Sequence, residues 1–321
     1  KQIAQALHFN MSDEDLHERF AHLQQDLITD SKSKGYELLI ANALWKQTGF
    51  NFLKDFIEIC EKYGATSSIV DFINERKKSI QIINAWVEKE TKGKITSIVS
   101  NAEINETAKL VLTNAAYFRG EWVNKFPREL TIPSPFYSDR NDVTEAQTMV
   151  REMEADFYED KKIQVLKLPY NQEKISMMFM LPCRLDGIDE LENSLSIEAI
   201  NDYREKLQQQ DVEVHLPKFK IYSEIASLKN IFQNMGIKNA FLPAANFSGI
   251  SRDTSLYIYD VLHKSFIDVN EEGTEASAAT GVIITASIKP VFNANHPFIF
   301  VIQDSKTHSI LFIGRVMKPS Y

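Results

Sequence analysis

Cysteine is scarce in this sequence: only Cys60 and Cys183 occur in 321 residues. They lie far apart and form no Cys-x-x-Cys pair, which excludes a disulfide framework and a cysteine-based metal or redox motif. We interpret both as free, partly buried thiols. Apolar runs are short, since none approaches the about 20 residues that a membrane-spanning helix needs. No membrane is therefore expected as a partner, and with a net charge of −8 no nucleic acid is expected either.

The common catalytic motifs are also missing. The sequence has no GxSxG, HExxH, P-loop or GxGxxG pattern. His17 and His22 lie five residues apart in a predicted helix and share a face poorly, so a metal site is not expected. The acidic pairs Glu14-Asp15 and Glu271-Glu272 have no identifiable nucleophile or acid partner. We therefore predict that the protein is not an enzyme and uses no metal and no cofactor.

The patterns that are present predict one mixed α+β domain over residues 1–321. Hydrophobic residues make up 44% of the chain and charged residues 25%, which is ordinary for a globular protein. A capping box at Ser12–Asp15 precedes apolar residues at helical spacing and predicts a helix over 13–27. Further helices are predicted over 52–63, 75–92, 188–207 and 223–235. Strands, in antiparallel-rich sheets, are predicted over 36–45, 110–118, 163–168, 176–181, 212–216, 256–269, 298–303 and 310–316.

A proline-free segment of small residues, 270–284, follows the predicted strand 256–269. If it entered a sheet, one face would carry small and then apolar side chains suited to burial. These are Thr274, Ala276, Ala278, Thr280, Val282 and Ile284. The alternative is an Ala/Ser-rich surface linker, but linkers are usually polar and rich in proline or glycine. The pattern favours a loop that can become a strand.

Several segments, in order along nearly the whole chain, resemble the serpin family of serine protease inhibitors. They are Asn114-Ala115-Ala116-Tyr117-Phe118-Arg119-Gly120-Glu121-Trp122, His215-Leu216-Pro217-Lys218-Phe219, Gly236-Ile237-Lys238-Asn239-Ala240-Phe241, Asn246-Phe247-Ser248-Gly249-Ile250, His263-Lys264 before Glu271-Glu272-Gly273-Thr274-Glu275-Ala276, Asn295-His296-Pro297-Phe298-Ile299-Phe300, and Phe312-Ile313-Gly314-Arg315-Val316. Each alone is weak evidence, but together they are highly specific.

The resemblance implies three β-sheets, about nine helices and an exposed reactive loop, here at about residues 271–291. It implies suicide inhibition: a target serine protease attacks the loop, forms a covalent acyl-enzyme, and is trapped when the cut loop inserts into the central sheet. The native state of such a protein is kinetically trapped. The alternative is a non-inhibitory serpin with a carrier, chaperone, hormone-precursor or storage role, whose loop is cleaved as plain substrate or not at all.

The resemblance also assigns roles to residues. The loop hinge corresponds to Glu272, Gly273, Thr274, Glu275, Ala276, Ser277, Ala278, Ala279 and Thr280. The scissile residue of the family usually lies fourteen positions after the hinge glycine, which gives Ser287–Ile288 and suits an elastase-like protease. Lys289 is the alternative and would suit a trypsin-like protease. Asn114 and His263 match residues that hydrogen-bond beneath the opening of the central sheet, and Trp122 matches one that packs where the loop first enters. The plainer interpretation is a satisfied core histidine for His263 and a large core aromatic for Trp122.

Two expectations concern the molecule's surroundings. Sequons at Asn10, Asn105 and Asn246, with the habit of the family, predict a secreted glycoprotein, although a cytoplasmic location stays open. Helix 13–27 matches the one that binds heparin in some serpins, but Arg19 is its only strong base, so glycosaminoglycan binding there is not supported. We expect a monomer.

One departure from the family concerns the start of the chain. Serpins begin with several tens more residues, so their first helices are expected to be missing here.

Overall fold

The computed structural model describes residues 2–31, 35–224, 226–252, 255–272 and 289–321. The chain divides into two compact units, each described by itself. The first unit comprises Lys1–Ser31, Glu37–Phe118 and Ile221–Ile267. The second comprises Lys32–Tyr36, Arg119–Lys220 and Asp268–Tyr321.

Within the described residues there are seven α-helices and fourteen strands. The helices are α1 (Gln2–Ala6), α2 (Asp13–Ser31), α3 (Lys54–Lys62), α4 (Arg76–Glu90), α5 (Ile188–Ser194), α6 (Ile197–Lys206) and α7 (Lys229–Asn234). The strands are β1 (Tyr36–Gln47), β2 (Ala65–Val70), β3 (Leu110–Gly120), β4 (Ile132–Tyr137), β5 (Val143–Glu159), β6 (Ile163–Pro169), β7 (Ile175–Pro182), β8 (Gln208–Pro217), β9 (Phe219–Tyr222), β10 (Ala226–Ser227), β11 (Asp260–Val269), β12 (Val291–Asn293), β13 (Phe298–Asp304) and β14 (Ile310–Val316).

The first unit is built on a sheet with the strand order β10-β11-β3-β1-β2, in which β9 also pairs with β11. Its pairs β11–β3 and β1–β2 are parallel. The hydrophobic core of this unit includes Trp45, Phe72 and Tyr117, together with Ile83 and Val87 of α4. The indole of Trp45 also donates a hydrogen bond to the Thr113 hydroxyl at 2.9 Å, which satisfies its one polar group.

The second unit is built on a sheet with the order β12-β8-β5-β6-β7-β13-β14, with β4 paired to β5. Every residue of β7 is buried because both of its faces are covered. One face packs with the cluster that includes Leu191 of α5 and Ile200 of α6. The other carries aromatic contacts between Phe179 and Phe292 and between Phe179 and Phe298.

The described strands form two sheets where three were expected, and strand β5 explains the difference. It is 17 residues long and pairs with β4, then β8, and finally β6 along its length. Strands on either side of it therefore belong to one hydrogen-bonded sheet. The α+β class is confirmed, and antiparallel pairs dominate this sheet, whereas the sheet of the first unit contains the parallel pairs β11–β3 and β1–β2.

Most predicted elements are present, with informative differences. The capping box is confirmed, because the Ser12 hydroxyl accepts a hydrogen bond from Asp15 N at 3.2 Å just before α2. The predicted helix 188–207 is two helices, since Ser196 caps a new start by accepting from Ala199 N at 3.1 Å. The predicted helix 223–235 is wrong in its first half, where β10 pairs with β11. The predicted strand 256–269 begins only at Asp260.

Cys60 is buried and Cys183 is exposed, and both are free, so only the first is the covered thiol that we expected. No helix in the described ranges is long and apolar enough to cross a membrane. Among the residues that the structure describes, no group of three or more His, Cys, Asp or Glu side chains is arranged to hold a metal ion.

Candidate functional site

The predicted reactive loop is described at its two ends. Glu272 ends the described part on one side and Lys289 begins it on the other. The hinge residues 273–280 and the predicted scissile residues Ser287 and Ile288 lie outside the described residues. The described candidate residues form separate groups: the N-terminal and C-terminal bases of the loop in the second unit, and the pair Asn114–His263 in the first unit.

The N-terminal base follows β11 and is held by a buried ion pair. The Glu271 side chain is 9% exposed, and its carboxylate lies 3.0 Å from Lys218 Nζ. The Thr131 hydroxyl donates to the same carboxylate at 2.8 Å. Burial alone would raise the pKa of Glu271, but its own backbone amide, Lys218 and Thr131 outweigh burial and hold the pKa below its usual value. Glu271 is therefore a charged residue fixed directly before the hinge.

Trp122 holds the preceding residue. Its side chain is 3% exposed and stacks on Tyr170 with ring centroids 4.3 Å apart. The indole Nε1 donates to the backbone carbonyl of Asn270 at 2.9 Å. Trp122 thus packs as a core aromatic and also contacts the start of the loop, so both interpretations of this residue are compatible. Its action as a gate stays a prediction.

Glu272, the first residue of the predicted hinge, pairs with Arg119 at 3.6 Å and with Arg128. Its backbone amide donates to the Asn270 side chain at 3.0 Å. The ion-paired residues of the base surround a cavity of about 370 Å³. It is lined by Arg119, Arg128, Lys218, Asp268, Asn270, Glu271, Glu272 and Tyr321. The start of the loop is thus held by ion pairs at two successive residues, Glu271 and Glu272.

The pair Asn114–His263 lies in the first unit, on two neighbouring parallel strands in direct register. His263 Nδ1 is 2.7 Å from the Asn114 side-chain oxygen, and the Asn114 amide donates to the Asn42 side chain at 2.6 Å. Since an amide oxygen only accepts, His263 carries its proton on Nδ1. Burial lowers the pKa of His263, so the ring is neutral at neutral pH. The structure brings Asn114 and His263 together; Trp122 belongs to the other unit.

This histidine predicts a pH dependence of stability. The pKa of His263 is lowered in the folded state. Above the usual histidine pKa of 6.5 this residue therefore does not affect the free energy of unfolding, and below that pH it lowers the free energy of unfolding increasingly. The pKa of His296 is lowered in the same direction, also by burial. Replacing His263 with Gln should flatten the fall of the unfolding midpoint between pH 7.5 and 5.5. Each histidine changes the free energy of unfolding by at most about 1.4 kcal/mol per pH unit.

His308 offers a matched control for this measurement, because it is exposed directly after the turn at residues 305–307. His308→Gln should leave the wild-type pH profile unchanged. A profile that is the same in His263→Gln and wild type would contradict the assignment.

The C-terminal base begins with Lys289, whose side chain is 17% exposed. Its Nζ lies 2.7 Å from the Glu152 carboxylate. Pro290 follows, and its carbonyl accepts from Glu213 N at 3.0 Å. β12 then pairs in parallel with β8.

Sequence reasoning missed the partners that hold both ends of the loop. Arg119 and Lys218 lie within two of the segments that carry the family resemblance, but no local pattern in those segments indicates that they bind Glu272 and Glu271. Nothing local marked Arg128, Thr131 or Glu152.

The three sequon asparagines, Asn10, Asn105 and Asn246, are all exposed. The Asn105 side-chain oxygen accepts from both the amide and the hydroxyl of Thr107, at 2.8 and 2.6 Å. Exposure is required for modification but does not demonstrate it, so glycosylation stays a prediction.

Asn114 and His263 share a hydrogen bond on neighbouring strands of the first unit, and an ion pair holds each described end of the loop in the second unit. A family model described as serpin (serine protease inhibitor) matches residues 1–319. The chain belongs to the serpin family. Among curated serpins it is 39% identical to the leukocyte elastase inhibitor of Xenopus tropicalis over 329 residues, covering 99% of this chain and 86% of that protein. It is 36% identical to human serpin B4, covering 99% and 87%.

Solved serpin structures agree with the fold. Uncleaved ovalbumin superposes with a TM-score of 0.90 at 26% identity, covering 99% of this chain and 86% of that one. Serpin48, described as a highly specific serpin of the insect Tenebrio molitor, superposes with a TM-score of 0.85 at 33% identity, covering 99% and 85%.

Proposed function

We propose that this serpin is a suicide inhibitor of serine proteases. The observation that carries the proposal is the match to the serine protease inhibitor family over residues 1–319, together with a hinge free of proline and rich in small residues. In the proposed mechanism the protease cuts the loop and forms an acyl-enzyme. The loop then enters the central sheet before the ester is hydrolysed, and the distorted protease stays attached.

The described anchors support this mechanism. The proposed mechanism requires that both ends of the loop are held in place while a protease attacks its middle. Here Lys218 holds Glu271 and Glu152 holds Lys289. The site needs no catalytic group of its own, because the protease supplies the nucleophile. We therefore propose that the chain acts as an inhibitor and not as an enzyme. We also propose that it is a single domain and a monomer.

We propose Ser287–Ile288 as the reactive bond and an elastase-like protease as the target. Curated relatives named leukocyte elastase inhibitor support testing an elastase first. Lys289 is a poorer candidate on two grounds. Its ammonium is bound by Glu152, and the bond after it leads to Pro290, whose ring restricts the backbone and whose nitrogen carries no hydrogen.

The test is incubation with elastase and trypsin, followed by denaturing electrophoresis and mass spectrometry of the released C-terminal peptide. We expect a covalent complex with elastase that resists SDS, and a peptide that begins at Ile288. A peptide that begins at Pro290 would move the reactive bond to Lys289. Cleavage without any complex would favour the non-inhibitory alternative, and turnover of a substrate by the chain itself would contradict both.

Secretion also belongs among the proposals. The comparisons lend no support to a secreted glycoprotein, which rests on the three exposed sequons and the habit of the family. Treatment of the natural protein with an N-glycosidase tests it, since a fall in mass is expected only if a sequon is occupied.

A further inference from the structure

The returning end of the loop is attached by a very short strand. β12 has three residues and stands at the edge of its sheet beside β8. Its segment is joined to β8 by bonds from Glu213 N to Pro290 O and from Ala294 N to His215 O, both 3.0 Å long. Phe292 is fully buried and anchors the centre of β12. An edge strand this short has few backbone bonds, so the residues before it need another attachment to be held in place.

Lys289 provides that attachment by reaching past β8. The sheet order is β12-β8-β5, so Glu152 on β5 lies two strands away from the segment that contains Lys289. The ammonium nevertheless lies 2.7 Å from the Glu152 carboxylate, and the Lys289 side chain is largely covered although Glu152 is half exposed. The side chain therefore lies along the surface of the sheet and does not project into solvent, where a protease would take it up.

The charges around Lys289 explain why it lies there. Glu152 and Glu213 are directly opposite each other on β5 and β8, an arrangement in which like charges destabilise a sheet. Asp211 lies two residues before Glu213 on β8. The hydrogen bond to Glu152 and the fields of Glu152, Asp211 and Glu213 raise the pKa of Lys289. One ammonium thus offsets the repulsion among three carboxylates; His215 adds a second contact, 2.7 Å from Glu213.

We propose that Lys289 is a positioning residue, whose ion pair with Glu152 fixes the C-terminal end of the reactive loop on the sheet and withdraws the lysine from the protease. The proposal rests on the proposed function only for its consequence in inhibition. The attachment itself can be measured without any protease.

The experiment compares three single variants of the full chain, Lys289→Met, Glu152→Gln and Glu154→Gln, with the charge-swapped double variant Lys289→Glu/Glu152→Lys. Glu154 is a matched control, because it is an exposed carboxylate on the same strand and pairs in register with Asp211. Hydrogen exchange of the peptide that covers residues 289–294 reports local opening of the segment. The stoichiometry of inhibition of elastase is the second readout.

Lys289→Met and Glu152→Gln should each speed exchange in this peptide about two- to fivefold, the range that a partly exposed ion pair supports. Glu154→Gln should not, and the double variant should recover most of the loss. High salt should bring wild type toward Lys289→Met. Equal effects of Glu152→Gln and Glu154→Gln, or a double variant no better than the singles, would overturn the proposal.

The two proposals fail in different ways. If no protease is inhibited but exchange follows this pattern, the attachment stands and the proposed function fails. If inhibition is normal but Lys289→Met leaves exchange unchanged, the attachment fails alone.

Discussion

Thr274→Arg should convert this inhibitor into a substrate. Thr274 lies outside the described residues, but the alternation of the hinge places it with Ala276 and Ala278 on the face suited to burial. Insertion would then carry a guanidinium into the sheet without a partner, which costs several kcal/mol. In the proposed mechanism insertion competes with hydrolysis of the acyl-enzyme, so the yield of covalent complex should fall more than about tenfold while cleavage continues.

Glu275→Arg is the matched control for this prediction. It introduces the same guanidinium one position later, on the opposite face of the inserted strand, where the native residue is already charged. Complex formation by Glu275→Arg should stay close to wild type. The measurement is the ratio of complex to cleaved chain on denaturing gels with elastase. Equal loss in both variants would argue against insertion in the expected register.

Lys218→Met should produce the largest loss of stability among the charge substitutions. It leaves the Glu271 carboxylate, 9% exposed, without its cation, and breaking a buried pair on one side costs about 3–5 kcal/mol. Lys220→Met is an unusually close control. The Nζ atoms of Lys218 and Lys220 lie 4.1 and 4.2 Å from the centroid of the Tyr321 ring. Lys220, however, pairs with Asp268 at the longer distance of 3.9 Å, and its side chain is more exposed than that of Lys218.

Urea unfolding of both variants tests this prediction, and Lys220→Met should lose less than about 1 kcal/mol. Similar losses would assign the effect to the aromatic contact instead of Glu271. The pH dependence adds a second check. Since the pKa of Glu271 is lowered in the folded state, wild type keeps this contribution above the usual value of 4.5 and loses it as pH falls through the folded value. The gap between wild type and Lys218→Met should therefore narrow in acid.

Local patterns predict the elements that carry their own signals. The bounds of β14 are predicted to the residue, because an apolar run is delimited by a turn on one side. Strand β5 is missed because Glu and Ala, which are weak strand formers, recur along it. Pairing with β4, β8 and β6 holds it in the sheet. β4 is missed because it contains Pro133 and Pro135, which an edge strand tolerates.

The same distinction applies to the candidate site, whose residues in local motifs are predicted and whose distant partners are not. Asn114, His263, Trp122 and the hinge come from motifs that are contiguous in the sequence. Their partners are distant along the chain: Asn42 for Asn114, Thr131 and Lys218 for Glu271, and Glu152 for Lys289. A contact between residues so far apart in sequence is created by sheet register, which local propensity does not encode.

Strand β8 has a consequence for engineering this protein. Its residue Glu213 binds the backbone before β12, and Lys218, which directly follows β8, binds Glu271. Glu213 and Lys218, which contact the two ends of the loop, are thus five residues apart on one continuous segment, about 17 Å at about 3.4 Å per residue. Because that spacing belongs to the strand and the residue that follows it and not to the loop, we expect both contact points to stay in place when residues of the loop beyond the hinge are exchanged. If the proposed function holds, such an exchange should change which protease is inhibited while the two contact points stay the same.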